Sequence, residues 1–153
     1  MSNHAGGNIA ESVAVLATID PDAYGTGAQT SDIIDMRYWD EIMIIVMAGT
    51  LGSSATLDCV SASSAASNMG TPTTLTGKAI TQLTEAGTDS DKQAIVRITA
   101  EEVAANGVGH RYVQFTMTVG TATSDAGAIV LGYKAAYEPV TAYDLSSVDE
   151  VVL

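Results

Sequence analysis

Residues 109–153 read GHRYVQFTMTVGTATSDAGAIVLGYKAAYEPVTAYDLSSVDEVVL. Within them Tyr112, Gln114, Thr116 and Thr118 alternate with Val113, Phe115, Met117 and Val119, the two-residue period of a strand that buries one face. A small-residue turn follows, residues 128–137 supply a final strand, and an acidic-apolar tail comes after it. Toward the N-terminus, residues 93–99 (QAIVRIT) make another strand candidate. Residues 100–105 (AEEVAA) read as one helical turn that Asn106 and Gly107 end.

Residues 41–48 (EIMIIVMA) form a continuous apolar run, short and rich in β-branched side chains, which predicts a strand buried on both faces at the centre of a sheet. Residues 55–61 (ATLDCVS) alternate again, and the Ser-Ala stretch 61–67 reads as a loop. Residues 12–19 (SVAVLATI) read as the first strand, followed by a turn at Asp20, Pro21 and Asp22 and a loop through Gly25 and Gly27. Between 71 and 91 the chain is rich in Thr and Gly with few apolar anchors, and reads either as a long excursion or as weak edge structure. About eight strand-like segments between turn-forming clusters predict an all-β fold, a jelly-roll-like β-sandwich. Val, Ile, Leu, Met and Ala suffice to fill the space between two sheets about 10 Å apart. The expected organisation is a flexible N-terminal arm over 1–10, the sandwich over 11–139 and an extended tail over 140–153.

At 153 residues the chain has the size of one domain, enough to bury roughly 70% of the surface its unfolded form exposes. Charged residues make up 16% and apolar ones 46%, so much of the surface is small and uncharged and suits close packing against neighbours. The net charge of −12 repels phosphate backbones and anionic lipids, so neither nucleic acid nor a membrane surface is an expected partner. Cys59 is the single cysteine, which excludes an intrachain disulfide and a thiolate metal cluster. The apolar run 42–48 is too short to span a bilayer, and the N-terminus has no basic segment leading into an apolar stretch.

HRYVQF, with KQAIVRITAEEV before it and AIVLGYKAAYEPV after it, resembles the head decoration or cement proteins of tailed bacteriophages. The resemblance runs from about Glu11 onward. Its features are an early strand before a turn, a Gly-Ser-Thr centre, a Tyr-Val strand after Arg111, a strand ending near Pro139, and the closing DLSSVDEVV. It implies a jelly-roll or related sandwich, a homotrimer on the outer capsid surface of the virion, made in the host cytoplasm. The implied partner is the major capsid protein, with no enzymatic activity and no cofactor. Arms at both ends would multiply weak contacts by avidity, and the tail from Tyr143 onward, apolar and acidic in turn, suits a neighbouring sheet edge or a groove on the shell. Arg111, Tyr112, Tyr143 and Leu145 are the residues expected near interfaces.

Individual residues support chemistry only thinly. Arg111 suits a partner's carboxylate or an intrachain ion pair, the commoner arrangement. His110 has only His4 as a companion, so no metal or proton-relay set is visible. Asp89 and Asp91 in TDSDK look like the start of a calcium loop, but Gln93 and Ala94 stand where an oxygen donor and Gly belong. Asp40 and Glu41 read as the solvated entrance to a strand, and Cys59 as a small buried hydrophobe. Gly25-Thr26-Gly27 and Gly107-Val108-Gly109 lack the following helix that a phosphate loop needs. Trp39, Tyr38 and Tyr24 offer the one alternative, a stacking platform for sugar in a carbohydrate- or receptor-binding module of a phage tail or fibre; the competing reading anchors Trp39 in the core rim.

Overall fold

Alternating apolar side chains stabilise a strand only if a second layer covers them, and here two sheets cover each other. The structure, a computed structural model, describes residues 8–152. Its elements are α1 (Ile9–Ser12), β1 (Val13–Tyr24), β2 (Gly27–Thr30), β3 (Ile34–Asp35), β4 (Trp39–Ala48), β5 (Thr56–Ser64) and β6 (Thr73–Ala79). There follow β7 (Leu83–Thr84), β8 (Gln93–Thr99), α2 (Ala100–Ala105), β9 (Tyr112–Gly120) and β10 (Ser124–Ala135), with 3-10 turns at Met36–Tyr38 and Val140–Tyr143. One sheet runs β1-β10-β4-β8, the other β2-β9-β5-β6, with β3 on β9 and β7 on β5. All pairs are antiparallel. Without the two-residue strands β3 and β7, the first and last strands pair in one sheet and the second and next-to-last in the other, which is the jelly-roll order.

The core lies between the sheets. Ile42, Ile44 and Val46 of β4, Val130 of β10 and Ile98 of β8 meet Leu57 of β5 and Val113, Phe115, Met117 and Val119 of β9, all at most 1% exposed. The alternation expected from Tyr112 is therefore realised. Residues 93–99 and 100–105 form β8 and α2 as read, and Thr99 caps α2 in a box with Glu102. The segment 71–91 resolves as edge structure: β6 ends its sheet, and β7 pairs with the start of β5.

Several expectations are corrected. The arm expected over 1–10 lies largely outside the described residues, and its last three do not extend freely, because Asn8 and Glu11 form a capping box on α1. Asp20, Pro21 and Asp22 do not end β1; the strand continues to Tyr24, absorbing them in a register shift between Ile19 and Asp22. The loop through Gly27 instead carries β2, and the Ser-Ala stretch extends β5 to Ser64, with Ser61, Ser63 and Ser64 buried. Small side chains there let the chain run close to its neighbours, where composition suggested a loop. β4 is internal to its sheet as expected but buries one face only: Met43 and Met47 point outward. The expected tail is also partly docked, since Val140 is fully buried and Leu145 N–H donates to Val15 O at 2.9 Å.

A glycine makes one of these contacts possible. A Cβ on Gly132 would stand 2.5 Å from Leu16 Cδ1 and 2.6 Å from Trp39 Cε3, so its absence lets both side chains close over β10. Leu16 reaches that position through the β1 bulge between Val15 and Ala17.

Replacing Phe115, the largest fully buried side chain, with Ala is expected to cost about 3–5 kcal/mol. Urea unfolding should show a lowered midpoint with an unchanged slope.

Candidate functional site

Four residues were expected near interfaces, and all four make contacts within the chain. Arg111 immediately precedes β9 and lies beside Asp35, with Nε 2.9 Å from Oδ1 and Nη2 donating to Oδ2 at 2.9 Å. Nη2 also donates to the Tyr112 hydroxyl, and the guanidinium lies 4.7 Å from that ring centroid. The ion pair is thus the intrachain one. Tyr143 stacks 5.5 Å from Tyr38 and edge-on to Trp39 at 5.9 Å. Leu145 is held by its bond to Val15, whose own N–H donates to Asp144 Oδ1 at 2.7 Å. Arg111 and Tyr143 therefore flank the segment from Asp35 to Trp39, while Leu145 sits on the free edge of β1.

Trp39 is only 4% exposed, which removes the sugar platform: the indole belongs to the core. Tyr24 is not its neighbour, since Tyr24 pairs with Ser124 at one end of β10 and Trp39 with Ala135 at the other. Cys59 is buried, and desolvation pushes its thiol up to about 12. Asp89 accepts from Thr84 N–H and pairs with Lys92 at 2.8 Å, which fixes a turn. The hydrogen bond from Lys92, with that from Thr84, holds its carboxyl below the ordinary range. His110 Nδ1 lies 2.9 Å from Ser63 Oγ, which also accepts from the Asn106 amide at 2.8 Å. Ser63 is fully buried, so this group ties β5 to the loop before β9. Among the described residues, no group of three or more His, Cys, Asp or Glu is placed to hold a metal, and no helix is long and apolar enough to cross a membrane.

What the sequence reading missed is the outer face of the four-stranded sheet. The registers align Val13, Tyr133 and Glu41 in one row, Val15, Leu131, Met43 and Arg97 in the next, and Ile129, Ile45 and Ile95 in a third. Ile95 is 65% exposed, and Met43 and Met47 also face outward. The first two rows border a hollow of about 360 Å³ lined by Ile9, Val13, Met43, Leu131 and Tyr133, with Glu41 and Arg97 at its rim. Glu41 pairs with Arg97 at 2.6 Å and with Lys134 at 3.1 Å. The hydrogen bonds from Arg97 and then Lys134 hold its carboxyl below the ordinary range. The signal lay in residues 41–48, whose unbroken apolar run leaves apolar side chains on both faces of a strand that only one layer covers.

No family model matches the chain, and no curated protein matches it. Among solved structures, one described as infectious bursal disease virus, Gx strain, aligns with a TM-score of 0.45 at 10% identity, over 83% of this chain and 34% of that one. The chain thus spans about a third of that protein's length. A second, an empty virus-like particle of cowpea mosaic virus from electron cryo-microscopy, aligns with a TM-score of 0.39 at 8% identity, over 90% of this chain and 89% of that one. The assignment of a jelly roll rests on the strand order itself.

Two outcomes are expected here. Cys59 should resist a thiol reagent at pH 8 in the folded protein and react fully in denaturant, as absorbance of the released thiolate would read. Glu102 pairs with Lys78 at 2.8 Å, and the hydrogen bond from Lys78 lowers its pKa in the folded state. Its stabilising effect is present above the unfolded carboxylate pKa of about 4.3 and lost as pH falls through the lower folded value. The gap in melting temperature between the wild type and Glu102→Gln should accordingly close as pH drops below about 4.

Proposed function

We propose that this protein is a structural virion protein that binds the outside of an assembled phage capsid and stabilises it. In this reading it is a homotrimeric decoration or cement protein, not an enzyme, and its partner is the major capsid protein. The observation that carries the reading is the apolar outer face of the four-stranded sheet, an exposed surface on a chain otherwise rich in uncompensated carboxylates. An exposed apolar face of this kind suits another protein surface. The order of short motifs from Glu11 to the closing DLSSVDEVV adds the comparison with phage decoration proteins, and a jelly roll is the fold that comparison implies.

The mechanism is thermodynamic. A protein that binds the expanded shell and not its precursor stabilises the expanded state by mass action, in proportion to its differential affinity. A rigid sandwich whose sheets share one core transmits load between the subunits it bridges without deforming.

Co-sedimentation with expanded and unexpanded shells of a tailed phage, with copy number read by quantitative mass spectrometry of virions, tests the proposal. Saturable binding to expanded shells, at a copy number comparable to that of the major capsid protein, is expected. A handful of copies per particle, or equal binding to both shell forms, would refute it.

A further inference from the structure

The hollow on the outer face has a definite chemistry. Its floor is apolar, Glu41 and Arg97 stand at its rim, and Lys134 pairs with the same Glu41 carboxylate from beside it. On a chain of net charge −12, that rim is a place where cations outnumber their carboxylate partner. The complementary occupant is an extended segment that alternates apolar and acidic side chains.

The chain carries such a segment. Residues 148–152 read VDEVV, and the two-residue period of an extended chain puts Val148, Glu150 and Val152 on one side. The root of the segment is fixed: Asp144 and Leu145 are bonded to Val15 on the free edge of β1, next to the rows that floor the hollow. Beyond that root Val148 N–H donates to Leu145 O at 2.9 Å, closing a turn that leaves Val148 half-buried, and the chain then runs outward, with Val151 39% and Val152 81% exposed. Among the described residues, Glu150 and Val152 of the segment and Met43 and Ile95 of the face stay exposed. The five residues after that turn, 148–152, reach about 16 Å when extended, more than the roughly 14 Å across four strands.

We propose that the outer face of the four-stranded sheet is the docking site for residues 148–152 of a second copy of this chain. Val148 and Val152 cover the apolar rows, and Glu150 meets Arg97 and Lys134. The exchange puts an acidic segment on the cationic rim, which offsets part of the repulsion between copies of an acidic chain. It rests on the oligomeric part of the proposed function and assigns this face to contacts between copies, which leaves shell contact to the other surfaces of the assembly.

Sedimentation velocity over a concentration series tests it with three proteins: the wild type, a variant lacking 146–153, and the double variant Met43→Glu/Ile95→Glu. The wild type should associate, and each variant should lose at least about tenfold in association constant. An equimolar mixture of the two variants should recover association, because one retains the face and the other the segment. Should the double variant fail to fold, Glu150→Lys takes its place as the weakened protein, with Asp149→Lys, which alters the opposite side of the segment, as the near-neutral control. A wild type that stays monomeric to about 100 µM overturns the inference. So does a variant lacking 146–153 that associates as well as the wild type, or a mixture that recovers nothing. Increased binding of a hydrophobic dye to the shortened variant, with a monomeric wild type, would make the chain's own segment the occupant. Shell co-sedimentation of the shortened variant is read separately, so shell binding without self-association refutes only this inference.

Discussion

The insertion of β10 between β1 and β4 is the pairing on which the rest of the molecule depends. It joins residues 13–24 to 124–135, bringing together segments about a hundred positions apart and paying the loop-closure entropy of a non-local contact. Once made, it aligns Ala17, Val130, Ile44 and Val96 in a buried row facing the second sheet. The same pleat turns Ile129, Ile45 and Ile95 the other way, so the ladder that closes the core also builds the exposed apolar face.

Charge is distributed to match. Every Lys and Arg lies within bridging distance of a carboxylate, and two of those carboxylates, Asp35 and Glu41, are each shared by two cations. The Asp35 group secures the 3-10 turn at Met36–Tyr38 against the start of β9, where Arg111 O also accepts from Met36 N–H. The Glu41 group sits at the edge of the apolar face. Exposed pairs of this kind add little to stability. Their consequence is positional: cations gather two to a carboxylate at Asp35 and at Glu41, the second of these beside the apolar face, and the negative excess lies elsewhere on the surface.

The docked stretch from Val140 to Leu145 has a structural role of its own. Tyr143 covers the Trp39 end of the sandwich, and the Asp144 carboxylate with the Leu145 N–H satisfies both backbone groups of Val15 on the free edge of β1. Asp32 does the same for Thr18 N–H further along. Edge strands left bare invite indiscriminate pairing, and here local groups occupy much of that edge.

Local pattern determined a good deal about this protein. The period-two runs at 93–99 and 112–119, the capped turn at 100–105, the buried Cys59 and the all-β class follow from side-chain alternation, turn chemistry and composition, which act over a few residues. The continuation of β1 through Pro21, the strand in the Ser-Ala stretch and the docking of Val140 were illegible. Each depends on a partner far along the chain that tolerates a bulge, needs a small side chain or offers an open edge. The tertiary structure alone decided that β4 shows one apolar face to the outside, because a continuous apolar run does not state how many layers will cover it. That number is set by the strand order, and two sheets cover each other on one side only.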